Sequence, residues 1–452
     1  MVAATVLGSG AVFLEGSVVG VALPSIARDL HLGIAGLQWV MNAYLLTLSA
    51  LMLLGGALGD RLDRSRVFAV GAFGFAAASL ACAIAPTALL LVVCRLAQGV
   101  AGALLVPNSL AMLEHAFEGE DRGAAIGQWA AWSAVSTAIG PLVGGILVDT
   151  ASWRWVFAAV APLGIGAAVI AARFAPPSRS TSPTMHIDVI GAALITLALG
   201  GLVGGLTAGP QLGFAHPLVL ACLGGGFALL VVFFGVERRS AAPLLPLHVF
   251  ASRQFTGANM TTLLVYGALS ALFLFLMLML QNVLHYGALK SGASLLPINA
   301  LMLLISPRVG RLAERIGARV PMAVGSLVAA AGMALFTRVH AGGSYATTLL
   351  PAVCVFGLGL SMLVAPLTAA VLESVPPSQV GLASAVNNAV SRLAGLLATA
   401  IIPLVVGMTG ASALTTAMVA RGFVRGMWVS AALCALGAVT AWLTISSSHE
   451  SK

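Results

Sequence analysis

An acidic side chain inside an apolar run is where a membrane-embedded sequence can handle protons, and this chain carries one. Of its fourteen Asp and Glu residues, thirteen fall in loops or near the ends of apolar runs, Glu114, Asp149, Asp188 and Glu373 among the latter. Glu15 alone lies in the middle of one. An ionised carboxylate at the centre of a bilayer costs about 2.5–3.5 kcal/mol on insertion scales, so Glu15 is expected to face a bundle interior or to spend part of its time protonated. Burial favours the neutral acid and a nearby cation favours the carboxylate. A group balanced between the two can take a proton from one side and release it on the other. Among the cations, Arg95 and Arg392 also fall within apolar runs.

Other chemistries find no footing. A phosphate-cradling loop needs a lysine after its glycines, whereas Lys290-Ser291 follows Ala288-Leu289. No two histidines share a helix at metal-ligand spacing, and neither a dinucleotide fingerprint nor a nucleophile elbow stands in proper context. The expectation is therefore no enzyme, no metal and no cofactor, with energy drawn from an ion gradient. The five cysteines are scattered singly in apolar segments and read as small buried hydrophobes. A net charge of +8 does not indicate nucleic acid, because lysine occurs only at Lys290 and Lys452 and the arginines sit in short loops.

The elements that must position Glu15 are membrane helices. Sixty per cent of the 452 residues are hydrophobic and 8% charged, a balance that excludes a soluble globular domain. Apolar runs of about 20 residues, enough to span a bilayer, recur from end to end. Breaking them at Gly, Pro and charge clusters predicts helices at 2–27, 37–58, 67–86, 88–113, 122–148, 153–174, 188–208, 217–236, 257–281, 291–310, 320–339, 346–373, 379–407 and 423–445, fourteen in all. The stretch from Met1 to Val12 lacks the basic flank of a signal peptide and reads as the start of the first span. With both termini cytoplasmic, fourteen of the 22 Lys and Arg residues, Arg179 and Lys452 included, fall inside and six outside, which selects that orientation. The location expected is a plasma or inner membrane, surrounded by lipid.

The loop Gly56-Ala-Leu-Gly-Asp60-Arg61-Leu-Asp63-Arg64 recurs as Gly310-Arg-Leu-Ala-Glu314-Arg315-Ile-Gly317, each copy following the second helix of a six-helix unit. The separation is longer than six helices, so a helix pair is inserted between the halves. The predicted organisation is an N-terminal six-helix bundle over 1–178, an inserted pair over 179–240 and a C-terminal six-helix bundle over 241–452. Two parallel repeats enclosing a midplane site are a common plan for secondary transporters.

The motifs agree with a known family. Leu14-Glu15-Gly-Ser-Val-Val-Gly-Val-Ala-Leu-Pro24, Gln38-Trp39-Val-Met-Asn-Ala-Tyr44, the loop Gly56 to Arg66, Arg95-Leu-Ala-Gln98-Gly99, Trp153-Arg154-Trp155-Val-Phe157 and the stretches Pro366 to Pro376 and Gly381 to Asn387 together resemble the fourteen-helix drug/proton antiporter branch of the major facilitator superfamily. Gly127, Ser136, Gly140, Pro141, Gly144 and Gly145 keep the spacing of the motif that marks exporters in that superfamily, with Ser136 replacing one glycine. Glu15 stands where aspartate is usual. Asp63 stands where glycine is usual and is expected to loosen its turn.

The resemblance implies a major facilitator fold and brings the first and fourth helices together, so that Arg95 modulates Glu15 in proton coupling; a static ion pair is the competing reading. It implies that Gly140, Gly144 and Gly145 leave a helix face bare for close packing and that Pro141 permits a bend, against ordinary small-residue packing. Gly56, Asp60, Arg61, Arg64, Glu314 and Arg315 become a cytoplasmic gate, against plain positive-inside anchoring. Asn42, Gln98, Asn108, Gln128, Asn259, Asn299 and Asn387 are candidate cavity linings, against interhelical bonding.

The function expected is proton-coupled antiport of small amphipathic drugs or metabolites by a monomer. One midplane carboxylate suits neutral or singly charged cargo better than dications. An uptake symporter on the same scaffold is the alternative, opposed by the exporter motif. A non-transporting receptor would call for a sizeable soluble domain, and none fits between the apolar runs.

Overall fold

The computed structural model describes residues 1–117, 119–175, 188–240, 243–245, 247–376, 379–408 and 414–446. Glu118, Arg179, Glu450, Lys452 and the boundary expected at 178/179 lie outside them. Among the described residues the long elements are α1 (Val2–Asp29), α2 (Ile34–Arg61), α3 (Arg64–Ala83), α4 (Ala88–Ala116), α5 (Gly119–Thr150), α6 (Arg154–Ala158), α7 (Ala161–Phe174), α8 (Val189–Leu212), α9 (Pro217–Glu237), α10 (Arg253–Asn282), α11 (Ala288–Ala293), α12 (Leu296–Ile316), α13 (Arg319–Phe336), α14 (Leu350–Glu373), α15 (Val380–Val405) and α16 (Thr416–Thr444). They supply fourteen stretches long and apolar enough to cross a membrane, with α6 and α7 forming one, α11 and α12 another, and α14 preceded by a π turn at Tyr345–Leu349. The chain is an all-α, multi-pass integral membrane protein. In each interrupted span the longer helix carries proline in its first turn (Pro162, Pro297 and Pro351), where its missing N–H has no intrahelical partner to lose.

Two boundaries differ instructively from expectation. The last helix begins at Thr416 rather than 423, because Thr415 caps it and Arg421 and Arg425 lie within it, turned to the carbonyls of Ala417 and Val406. Arginines therefore do not mark a loop there. At α3, Asp63 does not loosen its turn. The buried carboxylate accepts from Ser65 N at 2.9 Å, Ser65 Oγ at 2.6 Å and Arg66 N at 3.4 Å, so it is an N-cap that fixes the helix start.

The chain divides into two compact units. Unit 1 comprises Met1–Leu245 with Gly287–Gly292, and unit 2 comprises Pro246–Tyr286 with Ala293–Lys452. In unit 1, α2 and α3 pack on α4, α1 packs on α5 and α7, and α8 pairs with α9 while touching α2. Close approach comes from small residues: a Cβ on Gly71 would sit 2.9 Å from Leu105 N and 3.0 Å from the Ala101 carbonyl. Tyr44, Phe68 and Phe75 fill the core between these helices. In unit 2, α13 packs on α14 and α16, and α10 packs on α15 and α16. There a Cβ on Gly325 would fall 2.8 Å from the carbonyl of Gly359, so these two helices run nearly backbone to backbone.

Candidate functional site

Glu15 and Arg95 meet inside unit 1. Arg95 and Gln98 lie three residues apart on α4 and so share a face. Gly99 beside them lets α4 press on α2: an added Cβ would collide with Thr47 Oγ1 and the Tyr44 carbonyl, and Thr47 Oγ1 donates across to Leu96 O at 2.8 Å. That contact holds α4 in register with α2. Arg95 Nη1 then donates to Glu15 Oε1 at 2.5 Å and to Gln98 Oε1 at 2.7 Å, while Arg95 Nε donates to the Val40 carbonyl at 3.0 Å. Gln98 Nε2 donates in turn to Ser79 Oγ at 2.6 Å. The guanidinium lies 4.4 Å from the centroid of Tyr44 and 5.7 Å from that of Phe157, within cation–π range of both rings. Glu15 is 0% exposed and Arg95 2%.

The pair is not symmetric. Glu15 Oε2 is buried without a hydrogen-bond partner among the described residues, whereas the arginine has carboxylate, amide, carbonyl and ring contacts. Gln98, proposed from sequence as a cavity lining, instead links Arg95 to Ser79.

The remaining candidates divide. Asn42 is fully buried on α2. Asn108 Nδ2 donates to the carbonyls of Gly55 at 2.8 Å and Leu104 at 2.7 Å, which is interhelical bonding between α4 and α2 rather than a wall for cargo. Gln128 is exposed on α5. In unit 2, Asn387 Nδ2 donates to Asn259 Oδ1 at 3.1 Å and Thr262 Oγ1 at 2.8 Å, a compact polar set between α15 and α10; Asn299 is half-buried on α12.

The spaced glycines of α5 do different things. Gly140 faces Ser17 and the Leu14 carbonyl, and Gly144 faces Val18, so both seat α1. Gly145 faces the backbone of Ala288 and Leu289, and the position of Gly292 is closed by the backbone of Pro141. Ser136 donates to the Trp132 carbonyl at 2.9 Å and lies opposite Gly10. Gly127 has nothing within 4 Å of an added Cβ and joins none of these contacts. At the loop after α2, Arg64 pairs with Asp60 at 2.6 Å and donates to the Ala111 carbonyl at 3.2 Å; Arg61 is exposed. Gly56 approaches Pro107 of α4. In unit 2, Glu314 lines a cavity of about 410 Å³ with Gln254, Gly310, Pro366 and Glu373, while Arg315 is exposed.

Three acidic residues set aside as end-of-run or loop carboxylates have specific partners. Asp29 Oδ2 accepts from Arg154 Nη1 at 2.6 Å and Trp153 Nε1 at 2.9 Å, fastening α1 to the start of α6. The Trp153-Arg154 pairing was the available signal. Asp149 takes the backbone N–H groups of Ala288 and Leu289, about 140 residues away, which leaves no mark in local spacing, whereas Asp188 caps α8 through Gly191 N, a local contact that an aspartate before an apolar run signals.

The family model described as Major Facilitator Superfamily matches residues 5–399. Puromycin resistance protein pur8 of Streptomyces alboniger is 37% identical to this chain, covering 97% of it and 90% of that protein. Tetracenomycin C resistance and export protein of Streptomyces glaucescens is 32% identical over 88% of this chain and 74% of its own length, and cephamycin export protein CmcT of Amycolatopsis lactamdurans is 33% identical over 88% and 82%. Among solved structures, a bacterial homolog of the human lysosomal transporter Spinster, inward-facing and unoccupied, superposes with a TM-score of 0.69 at 16% identity, covering 98% of this chain and 96% of that one. The D-xylose-proton symporter does so with a TM-score of 0.68 at 14% identity over 98% and 97%. At such identities these two speak for the fold.

Proposed function

Since this chain belongs to the Major Facilitator Superfamily, we propose that it exports small amphipathic antibiotics or metabolites in exchange for protons, with Glu15 as the proton carrier. Its relatives are named for resistance to puromycin and for export of tetracenomycin C and cephamycin, which supports outward transport of small organic compounds. The observation that carries proton coupling is the buried Glu15–Arg95 pair, with one carboxylate oxygen bonded and the other free.

With the carboxylate ionised, Arg95 is neutralised and the pair is closed. A proton arriving at Oε2 removes the anion facing the guanidinium. Arg95 is then left with Gln98, the Val40 carbonyl and the Tyr44 face, and alternating access follows as the released charge changes which arrangement of α1 and α4 is favoured. One proton entering down about 100 mV and about one pH unit releases roughly 3.7 kcal/mol, near a 500-fold gradient of a neutral substrate. We place both termini in the cytoplasm on the arginine bias, with a monomer in lipid as the working unit and no cofactor beyond the proton gradient.

The test is transport in everted vesicles or proteoliposomes. Adding puromycin or a related amphiphile to energised everted vesicles should drive uptake into the lumen and release protons from it. Uptake that persists unchanged with an uncoupler present would overturn proton coupling. Accumulation of the same compound by intact energised cells would overturn export.

A further inference from the structure

At the base of the inserted helix pair, two carboxyl groups turn toward each other. Asp188 caps α8, its Oδ1 accepting from Gly191 N at 2.7 Å. Glu237 ends α9, is 3% exposed, and accepts from Leu245 N through Oε2 at 3.0 Å. One oxygen of each side chain is left over. Asp188 Oδ2 and Glu237 Oε1 are both buried, and neither has a hydrogen-bond partner among the described residues, although the two side chains are within hydrogen-bonding reach of each other. The helix packed on α9 is α8, and the charged group it presents to Glu237 is Asp188; Leu244 and Leu245 bring only backbone groups, and Arg238 and Arg239 are exposed.

Two facing acceptors with no donor repel each other, and out of water that repulsion is poorly screened. A metal cation does not fit. Calcium or magnesium would look for six or more oxygens, and among the described residues only two are free here. The third side is closed as well, since a Cβ on Gly191 would fall 2.5 Å from Asp188 Oδ2 and 2.9 Å from Glu237 Oε1. A proton needs no room and converts two acceptors into one O–H···O⁻ bond, the strong charge-assisted kind.

We propose that Glu237 holds a proton on Oε1 and donates it to Asp188 Oδ2, forming a second proton-binding site at the base of the α8–α9 pair, and that this proton keeps Glu237 seated under Leu245. When it leaves, two adjacent carboxylates remain, Glu237 turns out toward water, and the Leu245 tie is lost.

The experiment is hydrogen–deuterium exchange of the Leu244 and Leu245 amides in the full-length protein in lipid nanodiscs, corrected for the intrinsic pH dependence of exchange. Protection in the native chain should fall about tenfold as pH rises through the site's titration, the scale of losing one hydrogen bond. Infrared difference spectra should show a protonated carboxyl band vanishing over the same interval. Glu237→Gln and Asp188→Asn, whose amides supply a permanent donor, should keep protection and remove its pH dependence, whereas Glu237→Ala should be unprotected throughout. Melting curves for each variant establish that it is folded. Native protection that ignores pH, or a Glu237→Gln variant that still responds to it, overturns the proposal. So does protection restored at high pH by sodium or calcium, which would make this a cation site. The response should survive in a Glu15→Gln background; its disappearance there would assign the proton to Glu15 instead.

Discussion

Arg95 reaches Glu15 with one guanidinium nitrogen at 2.5 Å and leaves the second carboxylate oxygen bare, so the pair is closed electrically but open to a proton. Glu15→Gln removes the titrating group while keeping size and one acceptor. In proteoliposomes, substrate-induced proton release should fall to background, and the roughly 500-fold gradient available to a coupled exporter should collapse toward equality. Glu15→Asp, which keeps a titrating carboxyl on a stem one methylene shorter, should retain coupling. Full coupling in Glu15→Gln would reduce the pair to a static ion bridge.

Glu15→Ala asks a different question, that of stability. It strands a buried guanidinium with no anion, and breaking a buried pair from one side costs about 3–5 kcal/mol. The double variant Glu15→Ala/Arg95→Met should recover most of that loss in a thermal melt while remaining inactive in transport. Arg95→Lys should fall between the two, since a lysine has one terminal nitrogen and no second donor where Arg95 Nε bonds the Val40 carbonyl while Nη1 bonds Glu15 and Gln98.

The spaced glycines separate cleanly by contact. A Cβ on Gly145 would meet the Ala288 carbonyl and Leu289 N, each at 2.7 Å, whereas one on Gly127 meets nothing within 4 Å. Gly145→Ala should therefore destabilise by about 1–3 kcal/mol, the usual range for overpacking, and depress transport. Gly127→Ala should be neutral within about 0.5 kcal/mol. Equal effects at both positions would mean the motif acts by something other than packing.

Capping offers a test of α3. Asp63 satisfies Ser65 N and Arg66 N, so Asp63→Ala should lower stability by about 1 kcal/mol, and Asp63→Asn, which keeps an acceptor, by less. Detergent melts of the two variants side by side read this directly.

How much of this was legible in the chain depends on the range of the interaction. The fourteen spans follow from apolar length, which is local, and Glu15 stood out because an acid in such a run is costly wherever it points. The start of α16 was misjudged because Arg421 and Arg425 look like loop residues until their side chains are seen to reach backbone carbonyls. Asp63 was misjudged because a cap and a turn-breaker share a residue type, and only the bonds to Ser65 distinguish them. Gln98 lies three residues from Arg95 on α4, so their bond is within reach of spacing, but the Ser79 partner on α3 that anchors the amide is not.

Asp149 is the sharpest example of a long-range partner. Its carboxylate takes Ala288 N at 2.9 Å and Leu289 N at 2.8 Å, two donors that the start of α11 cannot satisfy from within its own turn. Gly287, Gly145 and Gly292 keep the backbones close enough for this to happen. Asp149→Ala removes the acceptor of both donors, and because the Leu289 bond is exposed and the Ala288 bond half-buried, water replaces part of it and the loss should be about 1 kcal/mol. Asp149→Asn should recover only part, since its amide has one acceptor oxygen for two donors and places an NH₂ against the other. Exchange protection of the Ala288 and Leu289 amides should accordingly rank native above Asn above Ala, with about tenfold between the ends. Equal protection in all three would show that the glycine contacts alone hold this segment on α5.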